Sequence, residues 1–476
     1  MLESKKIYTA ITELRGDLHT AVGLYACLRN SYSSSLLLES TDFTADSNCF
    51  SYICVDPIAG FKAKDNSIST YFEDNKINSD CENDLILSKF IDFKSSFSNE
   101  SPEYPKGVVN GFFGYISYES IQYFEDIKLS QKSDENRDIP DLNYELFRFV
   151  IVINHFKHQM YLIENSFSND FSKSEPLRKS LLAKINNPSF NFGHFDYSEN
   201  EDSNFTDEEY LDLVETCKKH IKIGDIFQIV PSRKFITKYS GDDFNLYRAL
   251  RSINPSPYLF YFNYGDFRII GSSPEAELIT TNNKAEIYPI AGTSPRSGDS
   301  KIDEDNVEKL LANAKENAEH VMLVDLARND LSKHCTNVNV DSFREVHFFS
   351  HVIHLVSKVS GVMKKNINSI NLLADTFPAG TLSGAPKYRA MELIDKYERG
   401  KRGHYGGALG FIGFNNDSHH AIIIRSFLSK NGYLYRQAGG GIVIDSEAVS
   451  ELNEVNSKLK ALKLALSKAK VIGGDS

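Results

Sequence analysis

Two helix-like segments of this 476-residue chain carry Glu-x-x-Glu pairs, Glu316/Glu319 and Glu451/Glu454, with Lys458 four residues beyond the second. Three-residue spacing makes each pair neighbours on a helix. Carboxylates that face one another repel unless a cation lies between them. Hard oxygen ligands that leave positions open for water and substrate suit Mg²⁺; a solvated helix face is the plain alternative. Arg425, in "AIIIRSF", is a lone cation in an apolar run and calls for a carboxylate, from the chain or from a ligand. His354, in "HVIHLVSKVSG", reads on composition as a core histidine with its hydrogen bonds met.

Glycine-bearing loops surround these groups. "EIYPIAGTSPRSG" (286–298) opens as a strand, breaks at Gly292, offers the Thr293 hydroxyl and turns through Pro295 and Gly298. Such an edge suits a ligand that needs close backbone approach. "GTLSGAPKYRAME" (380–392) is a loop and then a helix starting near Pro386. Thr381 and Ser383 there add hydroxyls to freed N–H groups, either an anion site or an ordinary capped turn. "QAGGGIVIDSEAVSE" (437–451) places three glycines before a strand-like run. No βαβ unit surrounds it, so it is not a dinucleotide fingerprint.

The elements that must hold these residues differ along the chain. Residues 1–165 mix short helices with strand-like runs at Ser35–Leu38, Phe50–Val55, Gly107–Tyr118 and Phe147–Ile153. Residues 166–206 are Asn/Ser/Asp-rich and read as an exposed polar connection. Residues 207–470 form the main functional region, of long strands and helices without regular βαβ order. That favours an α+β fold with largely antiparallel sheets. Val307, Leu310, Leu311, Ala314, Ala318, Val321 and Met322 predict one helix over 307–324. Val449, Leu452, Val455, Leu459, Leu462 and Leu466 predict another over about 446–468.

Composition excludes several classes. Against 64 acidic residues stand 53 basic ones, a net charge of -11 that gives no footprint for nucleic acid. No run of 18 apolar residues predicts a membrane span, and MLESKKIYTA lacks a signal-peptide core. The six cysteines have no C-x-x-C spacing and read as reduced thiols of a cytoplasmic protein. None of them sits between glycines as a glutaminase nucleophile would, and tryptophan is absent.

GDIFQIVPSRKF, NPSPYLFYF, GSSPE, PIAGT, NAEHVMLVDLARND, HLVSKVSG, GTLSGAPK, RGHYGGALGF, IRS, QAGGGIV and SELNEVNSK lie in order from about 210 to 465. Together they resemble the chorismate-utilising enzymes, in particular the anthranilate synthase component I branch. LLES (37–40) and GFFGYISYE (111–119) extend the resemblance more loosely toward the N-terminus. It implies two large antiparallel sheets packed as a sandwich, with helices outside. It implies conversion of chorismate and ammonia to anthranilate and pyruvate, with Mg²⁺ on Glu319 and Glu454 and with Glu316 and Glu451 as further ligands. It places Arg425 and Tyr405 at the enolpyruvyl carboxylate, helped by Gly439, Gly440 and Gly441. It further implies that Gly292, Thr293 and Thr381 line the ring, that Glu275 is the general acid at the C4 hydroxyl, that His354 takes the C2 proton, and that Lys458 balances the acidic cluster. Relatives that stop at aminodeoxychorismate commonly carry a lysine where this chain has Ala291, and relatives that add water carry one where it has Gln228. Neither alanine nor glutamine supplies a nucleophile or a base, which points to ammonia. Aminodeoxychorismate or aminodeoxyisochorismate synthesis, or a non-catalytic binding role, are the alternatives.

The resemblance also implies a glutamine amidotransferase subunit as ammonia donor and tryptophan as feedback inhibitor. Glu39, Ser40, Pro257 and Tyr258 would hold that inhibitor. Three departures stand out: Pro231 in QIVPSRKF, QAGGG for QAGAG, and Val455 after the last glutamate.

Overall fold

Strand residues alternate between two cores, because successive side chains leave a strand on opposite faces. The structure, a computed structural model, describes residues 4–40, 49–131, 135–348 and 352–474. In β1 (Ser35–Ser40), β2 (Phe50–Lys64) and β3 (Leu142–Asn154), Leu37, Ile53, Val55 and Ile151 join a cluster shared with helices. Their neighbours Leu36, Tyr52, Cys54 and Val152 join a second cluster built mainly from strands. That inner cluster also takes Phe260, Phe262, Leu409 and Tyr435 from the other half of the chain. It is the interior of the antiparallel sandwich.

The two halves share ladders directly. β1 runs antiparallel to β4 (Tyr258–Asn263), with Ser40 opposite Tyr258, and β4 pairs with β5 (Phe267–Ser273). Gly111–Ile116 likewise pairs with Ala408–Gly413. Among the described strands one pairing is parallel, Lys5–Tyr8 against Phe97–Glu100. The ladders join in one network that closes on itself, beside a small sheet of Gln228–Ile229 and Gly384–Ala385. No described helix is long and apolar enough to cross a membrane.

Helices cover the outside: α1 (Phe244–Ile253), α2 (Ser300–Ala312), α3 (Ala314–His334), α4 (Lys387–Tyr397) and α5 (Ala448–Gly474). α5 buries Leu452, Val455, Leu459, Leu462 and Leu466 as their spacing predicts, although Val449 in its first turn is 62% exposed. The single helix expected over 307–324 is instead two, α2 and α3. Asn313 separates them, and its side chain accepts the Glu316 N–H at 3.3 Å, an N-cap contact that starts a new helix. The break resets the helical phase, so Val321 is exposed rather than buried.

The polar stretch 166–206 is more ordered than its composition suggests. It holds a helix, Glu175–Asn186, and a strand, Phe195–Ser203, that pairs with Ser232–Gly241. A few well-spaced apolar residues suffice: Leu181, Ile185 and Phe195 are buried.

Candidate active site

Glu275 ends the turn between β5 and β6 (Ala276–Thr281) and is buried. The Thr381 hydroxyl donates to its Oε1 at 3.1 Å, and its backbone carbonyl accepts the Ile422 N–H at 3.0 Å. Burial pushes this carboxyl up to about 7, against the pull of Thr381, Arg425 and Lys458. A carboxyl protonated near neutral pH can act as a general acid.

β7 (Ile290–Pro295) pairs with β8 (Val352–Met363) and places Thr293 opposite His354. The register shifts between Ala291 and Thr293, and Gly292 has φ 75°. The chain therefore does not break at Gly292 but bulges, at a conformation that favours glycine. The bulge turns the Gly292 carbonyl to His354 Nδ1 at 2.9 Å. Nδ1 thus carries the proton, and the imidazole lone pair lies on Nε2. Burial pulls His354 down to about 4; the Gly292 bond opposes this, and Arg425 and Lys458 add to it. The ring is neutral at physiological pH. The side chain of Thr293 lies outside the described residues.

Arg425 follows β9 (Ser418–Ile422) and is held at φ 49°. Its guanidinium donates to the Asn254 Oδ1 at 3.4 Å, and no described acid forms an ion pair with it. Burial lowers its pKa and Glu275 opposes this. β10 (Tyr433–Gly439) leads into the glycine triplet. The strand-like run expected after the triplet is a single bridge, Ile442 to Ile229, followed by a turn, so the strand precedes the glycines. Lys458 on α5 donates to the Gly439 carbonyl at 2.9 Å and pairs with Glu454 at 2.7 Å. Tyr405 is buried, and a Cβ on Gly439 would lie 3.1 Å from its hydroxyl. A Cβ on Gly441 would lie 2.6 Å from the Gln228 amide nitrogen, so Gln228 stands directly on the triplet.

The acidic pairs border this cleft separately. A Cβ on Gly292 would lie 3.5 Å from Glu316 Oε2, and one on Gly440 would lie 3.5 Å from Glu451 Oε2. Glu451 is buried, while Glu319 and Glu454 are more accessible. The carboxylate oxygens suit Mg²⁺ in type. Among the described residues, however, no three such side chains gather at one point.

Two groups escaped the sequence reading. Arg402 is fully buried: it pairs with Glu398 and donates to the carbonyls of Leu382 at 2.6 Å and Val230 at 2.7 Å. It thereby ties three segments of the cleft together, and its place in RGHYGG was the available signal. Glu277, two residues beyond Glu275, is 4% exposed.

A cavity of about 960 Å³ opens between the sheet faces. Glu39, Ser40 and Tyr258 line it, together with His419 and Phe411, whereas Pro257 does not. The Glu39 carboxylate is already held, by Arg251 at 2.9 Å and by the Tyr247 hydroxyl.

A model of the chorismate binding enzymes matches residues 38–464. Anthranilate synthase component 1 of Neisseria meningitidis serogroup C is 37% identical over 467 residues, covering 95% of this chain and 93% of the relative. That of Aquifex aeolicus is 32% identical over 479 residues, covering 98% and 95%. The crystal structure of anthranilate synthase component I from Streptococcus pneumoniae superposes with a TM-score of 0.75 at 32% identity, over 87% of this chain and 92% of that one. The menaquinone-specific isochorismate synthase of Escherichia coli shares the fold, with a TM-score of 0.75 at 17% identity over 98% and 95% of the two chains. The chain belongs to the chorismate binding enzymes, among the anthranilate synthase component 1 proteins.

Proposed function

We propose that this chain converts chorismate and ammonia to anthranilate and pyruvate. One observation carries the reading: a buried carboxyl that stays protonated to about pH 7, Glu275, shares a cleft with a neutral imidazole whose tautomer is fixed, His354. Glu275 gives its proton to the departing C4 hydroxyl as ammonia adds at C2. His354, through Nε2, then takes the C2 proton as the enolpyruvyl group leaves as pyruvate. Arg425, lacking an acidic partner among the described residues, binds a substrate carboxylate, with Tyr405 and the triplet N–H groups beside it. Thr381 orients Glu275, and Gly292 and Thr293 border the ring. Ala291 and Gln228 provide no amine, so neither a covalent lysine adduct nor water activation competes.

Mg²⁺ would be held by Glu319 and Glu454, with Glu316 and Glu451, once substrate draws the two separate pairs together, and would supply positive charge for the ring carboxylate. Lys458 limits the repulsion within this acidic set from the α5 side. Ammonia comes from a glutamine amidotransferase subunit, since no cysteine here stands in a glutaminase-like turn. Tryptophan binds in the cavity lined by Glu39, Ser40 and Tyr258 and lowers activity by favouring a less active arrangement. The Arg251 contact on Glu39 leaves the ligand ammonium chiefly to backbone carbonyls, and Pro257 serves to stiffen the turn before Tyr258. The free cysteines fit a cytoplasmic setting. Purified chain supplied with chorismate, Mg²⁺ and ammonium should generate anthranilate fluorescence; glutamine in place of ammonium should give none until the partner subunit is added. Glutamine-dependent activity of the chain alone would contradict the division of labour.

A further inference from the structure

We propose that Glu277 is a proton-relay residue that recharges Glu275 between turnovers, across a small cavity lined by both carboxyls. This rests on Glu275 being the acid that protonates the leaving hydroxyl. That acid is 8% exposed, so each turnover leaves a carboxylate that has little contact with solvent.

The geometry supplies a path. Glu275 and Glu277 are two apart and face the same short segment: the Thr381 hydroxyl donates to Glu275, and the Ala379 backbone pulls the Glu277 pKa down. Both line a cavity of about 40 Å³ with Tyr288, Leu326 and Asp330. A cavity of roughly 10–15 Å³ by this measure already admits one water. Glu277 Oε2 is buried without a hydrogen-bond partner among the described residues, an arrangement that costs stability and so calls for a role. Beyond it, Lys387 of α4 pairs with Asp330 of α3 at 3.0 Å and donates to the Thr376 carbonyl at 2.6 Å. That pair is about 14% and 13% exposed and forms the outer station toward solvent.

The charged neighbours set a workable order. Burial raises Glu277 to about 8; Lys387 opposes this, while Glu275 and Asp330 reinforce it. Burial raises Glu275 less far, to about 7, because Thr381, Arg425 and Lys458 oppose it. A donor and acceptor about one unit apart exchange a proton readily in both directions.

Protons balance without a further reactant. The Glu275 proton joins the departing C4 oxygen to make water, and the nitrogen that adds at C2 sheds one proton as it becomes an amine. Glu277 then passes its proton through one water to the Glu275 carboxylate. It regains one from solvent past Lys387 and Asp330.

The test is the pair Glu277→Gln and Glu277→Asp, in ammonia-dependent turnover. Wild-type turnover is read first, so failure of the functional reading appears there and failure of the relay appears only in the variants. The relay predicts that Glu277→Gln lowers kcat about tenfold or more, with KM for chorismate changed less than about twofold. Added imidazole should restore rate in proportion to its concentration, because it can stand in as donor. Glu277→Asp, still ionisable, should keep most of the rate. Wild-type kcat in Glu277→Gln would overturn the proposal. So would equal losses in both variants that imidazole does not relieve, since those would mark a packing role.

Discussion

The Thr381 hydroxyl donates to Glu275 Oε1 at 3.1 Å, yet the bond does not keep this carboxyl ionised: burial outweighs it and the pKa stands at about 7. The ordinary value is 4.5. The folded chain therefore holds a proton that the unfolded chain has released between those limits. Stability from this group is full below about pH 4.5 and is lost as pH rises to about 7. Glu275→Gln should abolish anthranilate formation while raising stability at pH 8 by up to about 3 kcal/mol. Urea unfolding at pH 4.5 and pH 8 checks this; a variant less stable than wild type at pH 8 would contradict it.

The acid and base also set the activity profile. His354 is neutral above about pH 4, and Glu275 is protonated below about 7. In kcat/KM the acidic limb should fall well below the ordinary histidine value of 6.5, and the basic limb near 7. An acidic limb at 6.5 would place another histidine in the reaction.

His354→Met should uncouple the two halves of the reaction. Glu275 can still release the C4 hydroxyl, but nothing takes the C2 proton, so the aminated dihydro intermediate accumulates while anthranilate falls about a hundredfold. Chromatography of the products decides it, and undiminished anthranilate would remove His354 from the mechanism.

For the metal, Glu319→Gln and Glu454→Gln should each eliminate turnover while leaving the fold intact, because each carboxylate is partly accessible and not a core contact. Calorimetric titration of Mg²⁺ in the presence of chorismate should lose its heat in both variants. Full activity in EDTA would exclude the ion.

Feedback tests the larger cavity. Ser40 sits opposite Tyr258 in the β1–β4 ladder, at the cavity wall. Ser40→Phe should intrude on it from the wall and remove inhibition by tryptophan with little change in uninhibited rate. A wild type indifferent to millimolar tryptophan would refute the site.

Residue type and spacing went furthest where the chemistry is local. Glu275 and Arg425 follow strands, His354 stands near the start of β8, and Tyr405 lies in the turn before Ala408–Gly413, all elements whose apolar pattern is plain in the sequence. The apolar face of α5 was equally plain, since five leucines and valines keep its period without interruption. Asn313 was harder: a single capping side chain divided an otherwise continuous pattern. Gly292 read as a break but serves as a bulge, because only the partner strand reveals the register shift. Convergence of α3 and α5 depends on long-range packing, so four glutamates that spacing groups in pairs are not brought to one point. Glu277 was hidden for a related reason, as nothing local distinguishes a buried glutamate in a strand from a solvated one.

Isotope tracing tests the central claim most directly. The chain, with Mg²⁺, is given chorismate and ¹⁵N-ammonium in ¹⁸O-enriched water, and the ring products are weighed. The account predicts anthranilate carrying ¹⁵N and no ¹⁸O, with one pyruvate per ring. A product that keeps its enolpyruvyl group, or one that carries ¹⁸O on the ring at C2, would contradict it.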